Sequence, residues 1–141
     1  MRRIYAACMA VCLAFAAAAA PPRDDSLYRA LGEQAGIARL VDALLDRVYA
    51  DARINDLFLH VDRADLARLV GEHFCHETGG PCEYTGRSMA DTHSGLAIKA
   101  KEFDAFVEDL TDAMEALALP ARTRNRMLKH FAPMRPQIID Q

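Results

Sequence analysis

Apolar residues recur along most of the chain at intervals of three and four, which is the period of an amphipathic α-helix. The clearest stripe begins after Gly36 and predicts a long helix. It consists of Ile37, Leu40, Val41, Leu44, Leu45 and Val48. Before it, residues 26–31 predict a short helix, with Ser26 as the expected N-cap and Gly32 as the end.

A second long helix is predicted after Asp62, which is a favourable N-cap, and Asp65 adds negative charge to its first turn. The apolar stripe of this helix is Leu66, Leu69, Val70, His73 and Phe74. The sequence Gly79-Gly80-Pro81 stops it. A loop over residues 82–86 and a short polar segment, Ser88 to Ser94, follow.

Two further helices are predicted in the last third of the chain. One runs from about Lys101 to Leu117, with Phe103, Phe106, Val107, Leu110, Met114 and Leu117 inward. Pro120 suits the first turn of the other, whose stripe is Met127, Leu128, Phe131 and Met134. Since Pro133 and Pro136 lie inside that pattern, this helix should kink or end early.

No apolar-polar alternation typical of a strand stands out, so the sequence predicts an all-α protein. A plain four-helix bundle and a globin-like packing around a pocket both fit four substantial helices. With 141 residues the chain has room for one domain, and a formal charge of −3 without a basic run argues against a nucleic-acid partner.

The N-terminus is typical of a secretory signal peptide, because Arg2 and Arg3 precede an uncharged, alanine-rich stretch over residues 4–20. A membrane anchor is the alternative, but the stretch is short and weakly apolar for a bilayer span. We therefore expect residues 1–19 to be removed and residues 20–141 to form the domain. The mature domain should be periplasmic or secreted, without stable membrane insertion.

His93 is the histidine whose context suggests a ligand. It lies on the short polar segment, between the glycine-proline break and Gly95, and two long apolar helices flank that segment. A neutral imidazole held over an apolar slot suits a metal held in a macrocycle, because its ring nitrogen offers one axial bond.

A second group of potential ligands consists of His73, Cys75, His76 and Cys82. Two helical histidines three residues apart lie about 60° apart around the helix axis, so a shared zinc ion is conceivable. Exported cysteine pairs commonly oxidise. A disulfide, two free thiols and a zinc site therefore all stay open. The exposed carboxylates, such as Glu108 and Asp112, are interpreted as a solvated helix face.

Several stretches of the sequence resemble the group 1 truncated haemoglobins, the 2-on-2 globins. The run GGPCEYTGRSMADTHSGLAI (79–98) is similar to the stretch around their proximal histidine, and residues 27–58 are similar to their first helices. The segments EFDAFVEDLTDAMEALALP and FAPMRP are similar to their last two helices. The resemblance covers about residues 26–139. It implies a two-on-two helical sandwich that encloses one haem b per chain.

The resemblance also implies roles for individual residues. His93 matches the proximal ligand of the haem iron, and Phe58 matches an aromatic residue that packs flat on the haem. The other expected haem contacts are Leu66, Tyr84, Met89, Ile98, Phe103 and Phe106.

The distal side departs from the family pattern. Many relatives carry a tyrosine and a polar distal-helix residue that hydrogen-bond oxygen, whereas the matching positions here are Leu45, Leu66 and Val70. Loss of such a contact costs about 1.5–3 kcal/mol, or a factor of roughly 10 to 100 in dissociation rate. His73 is expected at the pocket rim, or as a donor through water. Leu69 stands where some relatives have a second iron ligand, so we expect five-coordinate iron.

These features predict an exported haem protein that reversibly binds O2, NO and CO, for oxygen binding or transport or for nitric-oxide handling. Nitric-oxide dioxygenation would need an unidentified reductase, and the apolar pocket argues against it. We expect a monomer or a weak dimer. The competing hypothesis is a haem-free exported module that binds zinc or a partner protein through His73, Cys75, His76 and Cys82.

Overall fold

The computed structural model describes residues 23–141, so the predicted signal peptide lies outside the described residues. The α-helices are α1 (Ser26–Ala30), α2 (Glu33–Ala50), α3 (Arg63–Glu77), α4 (Met89–His93), α5 (Ala100–Ala116) and α6 (Ala121–Phe131). Two 3₁₀ helices cover Asn55–Phe58 and Ala132–Gln137. This part of the chain contains no strand, which confirms the all-α prediction. None of its helices is long and apolar enough to cross a membrane.

Helix α2 is the centre of the hydrophobic core. Every residue of its predicted stripe is buried, and the helix packs against both α3 and α5. Helix α6 packs in turn against α5. The pairs α2/α3 and α5/α6 therefore form the predicted two-on-two sandwich, and the short α4 lies against the C-terminal 3₁₀ helix.

Helix α3 buries much less of its stripe than α2 does. Only Phe74 and Cys75 are buried, whereas Leu66, Leu69 and Val70 are partly exposed. The predicted cap of this helix is confirmed, because the Asp65 backbone N–H donates to an Asp62 carboxylate oxygen at 2.8 Å. The apolar face of α3 thus extends beyond the core into an open space, which the next subsection describes.

The start of the first helix differs from the prediction. Ser26 is the first residue of α1 and not its N-cap, which is Asp25. The Ser26 N–H donates to an Asp24 carboxylate oxygen at 3.0 Å, and its hydroxyl accepts a hydrogen bond from Arg126 at 2.7 Å. Hydrogen bonding from Ser26 lowers the pKa of Asp24. Residue type alone predicted Ser26 as the N-cap. In the structure its backbone N–H donates to Asp24, two residues earlier, and Ser26 lies inside the helix.

The prolines near the C-terminus bound the last helix, although Pro120 is its N-cap and not part of its first turn. Pro120 immediately precedes α6, which ends at Phe131, and the 3₁₀ helix that follows contains Pro136.

Among the carboxylates of α5, Asp109 is buried although its neighbours Glu108 and Asp112 face solvent. Burial raises the pKa of Asp109.

A disulfide joins the end of α3 to the loop that follows it. Cys75 is fully buried, and its Cα lies 5.8 Å from that of Cys82 across the turn at Gly79 and Gly80. The Gly80 N–H also donates to the Cys75 carbonyl at 2.8 Å. Of the alternatives left open by the sequence, the structure thus contains the disulfide.

We expect the disulfide to contribute measurable stability. Closing a loop of this size in the unfolded chain is worth roughly 2 kcal/mol in the chain-entropy model. The double variant Cys75→Ala/Cys82→Ser should therefore unfold at lower urea concentration than the oxidised protein and should be insensitive to added reductant. An unchanged urea midpoint for the oxidised and reduced forms of the natural protein would contradict this expectation.

Candidate functional site

The open space beside α3 is a cavity of about 700 Å³. Its walls come from α2 and α3, from α4 and the loop before it, and from α5, α6 and the C-terminal 3₁₀ helix. Every predicted site residue lines this one cavity: Leu45, Phe58, Leu66, Val70, His73, Tyr84, Met89, His93, Ile98, Phe103 and Phe106. Most other wall residues are also apolar, and a volume of this size is typical of a small-molecule or cofactor site. The contacts of these residues with a cofactor stay a prediction.

His93 is held in a defined orientation at the end of α4. Its Nδ1 lies 2.7 Å from the Met89 carbonyl oxygen, which can only accept, so Nδ1 carries the proton of the neutral ring. Nε2 then bears the free lone pair, and it makes no hydrogen bond to any residue from 23 to 141. Ser88 is the N-cap of helix α4, and its Oγ accepts from the Asp91 N–H at 3.1 Å. A neutral imidazole with an oriented ring and a free Nε2 is suited to ligate a haem iron.

Three apolar side chains of α2 and α3, at the positions predicted for the distal side, offer no hydrogen-bond donor to the cavity. Leu45 is almost fully buried, and Leu66 and Val70 lie beside it on the cavity wall. The Tyr84 hydroxyl is engaged elsewhere, since it donates to the Arg87 carbonyl at 2.9 Å. The side chains at these positions are therefore those expected for an apolar distal pocket.

His73 is the unusual polar residue of the cavity wall. Its ring centroid lies 5.0 Å from that of Tyr84 and 5.5 Å from that of Phe131. Both ring nitrogens are buried and have no hydrogen-bond partner in the described part of the chain. Burial lowers the pKa of His73, an effect that nearby Glu77 partly opposes. The ring is thus packed among aromatic side chains on the cavity wall, and its role as a rim residue or as a donor through water stays a prediction.

We expect His73 to reduce stability in acid. The unfolded chain binds a proton at this residue near pH 6.5, and the folded chain binds it only at lower pH. Stability is therefore lost as pH falls below 6.5, because the unfolded state then holds more protons. His73→Phe should make this loss shallower between pH 7 and pH 5 and should raise stability by about 1–2 kcal/mol, since it removes two unpaired nitrogens. Urea unfolding at several pH values measures both effects, and parallel curves for the two proteins would contradict the assignment.

The four residues of the alternative metal site do not come together. Nδ1 of His76 lies 3.2 Å from the Cys82 carbonyl oxygen, on the outside of α3, while His73 lies among the cavity aromatics. Cys75 and Cys82 are bonded to each other, so neither offers a thiolate. Within residues 23–141, no three His, Cys, Asp or Glu side chains are grouped as metal ligands.

Some residues of the cavity wall were not predicted as site residues. Arg68, Arg87 and Arg135 bring positive charge to it, and Ile138 comes from the C-terminal segment. Arg68 is already held by Asp65 and Glu72 on its own helix, at 2.5 and 2.8 Å. No periodic pattern in the sequence points to these positions, because they lie on loops, on a solvent-facing helix edge and after the last helix.

A two-on-two helical sandwich that encloses an apolar cavity, with one oriented imidazole on its wall, defines the globin class of haem proteins. Comparison with known proteins supports the same class. The sequence model of the family described as bacterial-like globin matches residues 26–140. A group 1 truncated haemoglobin of Nostoc sp. (strain MUN 8820) is 30% identical over 121 residues, which are 83% of this chain and 99% of the relative. The chain belongs to the bacterial-like globin family and is a group 1 truncated haemoglobin.

Solved structures show the same fold. The truncated haemoglobin of Tetrahymena pyriformis in its Fe(III) form superimposes with a TM-score of 0.79 at 23% identity, over 82% of this chain and 98% of that one. The 2/2 haemoglobin of Synechococcus sp. PCC 7002, in the cyanomet state and with covalently attached haem, gives a TM-score of 0.76 at 24% identity, over 80% and 97% of the two chains.

Proposed function

We propose that this globin binds one haem b in the described cavity through Nε2 of His93 and takes up diatomic ligands reversibly. Haem would supply an iron atom that binds O2, CO or NO. The observation that carries the proposal is the His93 ring, fixed by the Met89 carbonyl with Nε2 free on the wall of an apolar cavity of about 700 Å³.

The side chains around the ligand position favour weak retention of oxygen. Leu45, Leu66 and Val70 are apolar and offer no hydrogen bond to a partly anionic ligand. Carbon monoxide and nitric oxide depend less on such a bond, so the pocket favours them relative to oxygen. Leu69, also on the cavity wall, carries no donor atom for iron, which supports five-coordinate iron in the ferrous state.

Absorption spectroscopy of the mature protein reconstituted with haem b tests the proposal. We expect a single broad visible band in the ferrous form and a sharp Soret shift under carbon monoxide. Titration should end at one haem per chain. A split ferrous visible spectrum would mean a second protein ligand and would contradict the apolar pocket, with His73 as the first candidate. Absence of stable haem uptake would reject the proposed function.

Restoring a donor at Leu45 should strengthen oxygen retention. Leu45→Tyr places a phenol on the cavity wall, and we expect oxygen dissociation to slow by roughly 10- to 100-fold, the effect of about 1.5–3 kcal/mol. Leu45→Phe is the matched control, because it adds the same ring without the hydroxyl. Stopped-flow measurement of oxygen release distinguishes them. Equal rates for the two variants would show that the hydroxyl does not reach the ligand.

We further propose that the protein is exported and acts as a monomer or a weak dimer. The disulfide supports export, because such bonds form and persist in oxidising compartments. Over residues 23–141, the exposed large apolar side chains are Leu59, Val61 and Leu96, too few for an extensive apolar interface. Cell fractionation with N-terminal sequencing tests the export, and recovery of the uncleaved chain in the cytoplasm would reject it.

A further inference from the structure

The helix that carries His93 is too short to hold its own position. Helix α4 has five residues, whereas isolated helices of fewer than about 12–15 residues are marginal in water. At its start, Ser88 caps the helix through Asp91. The position of His93 at its end therefore depends on the contact of α4 with the C-terminal 3₁₀ helix and on the chain that follows.

The chain after His93 is held by the C-terminal residues 138–141, which we name the C-terminal strap. The Gly95 and Ala97 N–H groups both donate to the main-chain oxygen of Gln141, at 3.1 and 3.4 Å. In the other direction, the Asp140 N–H donates to the Ile98 carbonyl oxygen at 3.0 Å. The two segments thus pair through backbone groups, directly beyond the candidate iron ligand.

The backbone in this pairing is strained. Ala97 has φ 49° and Asp140 has φ 56°, both in the left-handed region that costs a residue with a side chain roughly 1–2 kcal/mol. Such conformations persist where surrounding contacts impose them. Here the imposing contacts are the hydrogen bonds of the strap and an ion pair of 2.7 Å between Lys99 Nζ and Asp140.

The strap is also anchored to the opposite side of the cavity. It continues the 3₁₀ helix, in which Arg135 pairs with Asp104 of α5 and lies 4.9 Å above the Phe103 ring. Ile138, the first strap residue, lines the cavity. The strap therefore connects α5, which forms one wall of the cavity, to the segment that fixes the end of α4.

We propose that the C-terminal strap is a positioning element for His93, and that its backbone pairing with residues 95–98 sets the geometry of the iron–histidine bond. The inference rests on the proposed function, since it assumes that His93 ligates haem. The ion pair is exposed and contributes little by itself. We attribute the positioning of His93 to the backbone hydrogen bonds and to the left-handed turn at Asp140.

Two substitutions at Asp140 distinguish the effect of its backbone hydrogen bond and conformation from the effect of its carboxylate charge. Asp140→Pro removes the carboxylate, the N–H that bonds Ile98, and any access to positive φ. Asp140→Gly removes the same carboxylate but keeps the N–H and adopts positive φ freely. In the haem-loaded ferrous proteins, we expect the iron–histidine stretching band in resonance Raman spectra to shift and broaden for Asp140→Pro. The band of Asp140→Gly should match that of the natural protein.

Haem release to excess apomyoglobin gives a second readout, and we expect at least a tenfold faster rate for Asp140→Pro than for Asp140→Gly. Identical bands and release rates in the two variants, even with lower stability of Asp140→Pro, would assign the strap a merely structural role and overturn the proposal. Normal haem binding by the natural protein in that case leaves the proposed function intact. Failure of the natural protein to take up haem rejects the proposed function instead.

One measurement needs no variant and covers the case in which Asp140→Pro does not fold. Hydrogen exchange of the natural haem-loaded protein should show protected amides at Gly95, Ala97 and Asp140, because all three donate within the pairing. Exchange at unprotected rates would show that the strap is open in solution and would overturn the proposal.

Discussion

Replacing His93 by glycine should abolish ligation of the haem iron. The substitution removes the free Nε2 on the cavity wall, and the described part of the chain offers no other histidine in an equivalent orientation. Loss of outer-shell partners alone typically costs 10–100-fold in metal affinity, so loss of the ligand itself should accelerate haem release by more than about 100-fold. Absorption spectra of the ferrous and carbon monoxide forms, together with haem release, measure this effect.

Added imidazole provides an internal check on His93→Gly. Because the substitution leaves a space shaped for the ring, free imidazole should restore much of the five-coordinate ferrous spectrum. His60→Gly is the matched control, since His60 is exposed and lies outside the cavity wall. A His93→Gly protein with the natural spectrum would mean that another residue ligates the iron, and His73 would be the first to test.

The second large effect is expected at Gly79, where the chain reverses after α3. Gly79 has φ 90°, and a Cβ at this position would lie 2.0 Å from the Asp24 carbonyl oxygen and 2.8 Å from the Asp24 carbonyl carbon. Both are backbone atoms, so neither can rotate away. Gly79→Ala should therefore cost more than about 3 kcal/mol, by adding left-handed strain to a steric clash. This is a large part of the 5–15 kcal/mol typical of a domain.

Gly71→Ala is the matched control for this substitution, with an expected effect of opposite sign. Gly71 lies inside α3, and a Cβ there would meet nothing within 4 Å. Alanine is favoured over glycine in a helix by about 0.5–1 kcal/mol. Thermal unfolding should show a lower midpoint for Gly79→Ala and a slightly higher one for Gly71→Ala. Equal midpoints would mean that the contact between Gly79 and Asp24 is absent in solution.

The helices could be predicted from the sequence because each long helix repeats one apolar stripe. The stripe of α2 is fully buried, and the predicted cap at Asp62 and break at Pro136 are found in the structure. Periodicity does not distinguish a face that contacts protein from a face that contacts a cavity. The stripe of α3 therefore predicted a helix correctly without showing that most of it faces the pocket.

Other features depend on backbone geometry that has no residue signature. The disulfide between Cys75 and Cys82 could not be chosen from residue types, because it depends on the path of the chain through Gly79 and Gly80. That path sets the distance of 5.8 Å between their Cα atoms. The strap consists mainly of backbone hydrogen bonds, which any residue type can make. At the start of α1, two competing aspartates made the choice of Ser26 as the cap wrong. The site residues were identified through resemblance to a family, and only His93 stood out from its own context.

The partial burial of α3 has a consequence for how the protein reaches its working state. Leu66, Leu69 and Val70 lie on the cavity wall, so a bound haem would complete the apolar contacts of this helix. A group that binds only the folded chain stabilises it by an amount that grows with the logarithm of its free concentration relative to its Kd. Cofactor capture and the last step of folding should therefore be one event. Under the proposed export, that event would take place after transport, and the haem supply of the receiving compartment would then set the yield of stable protein.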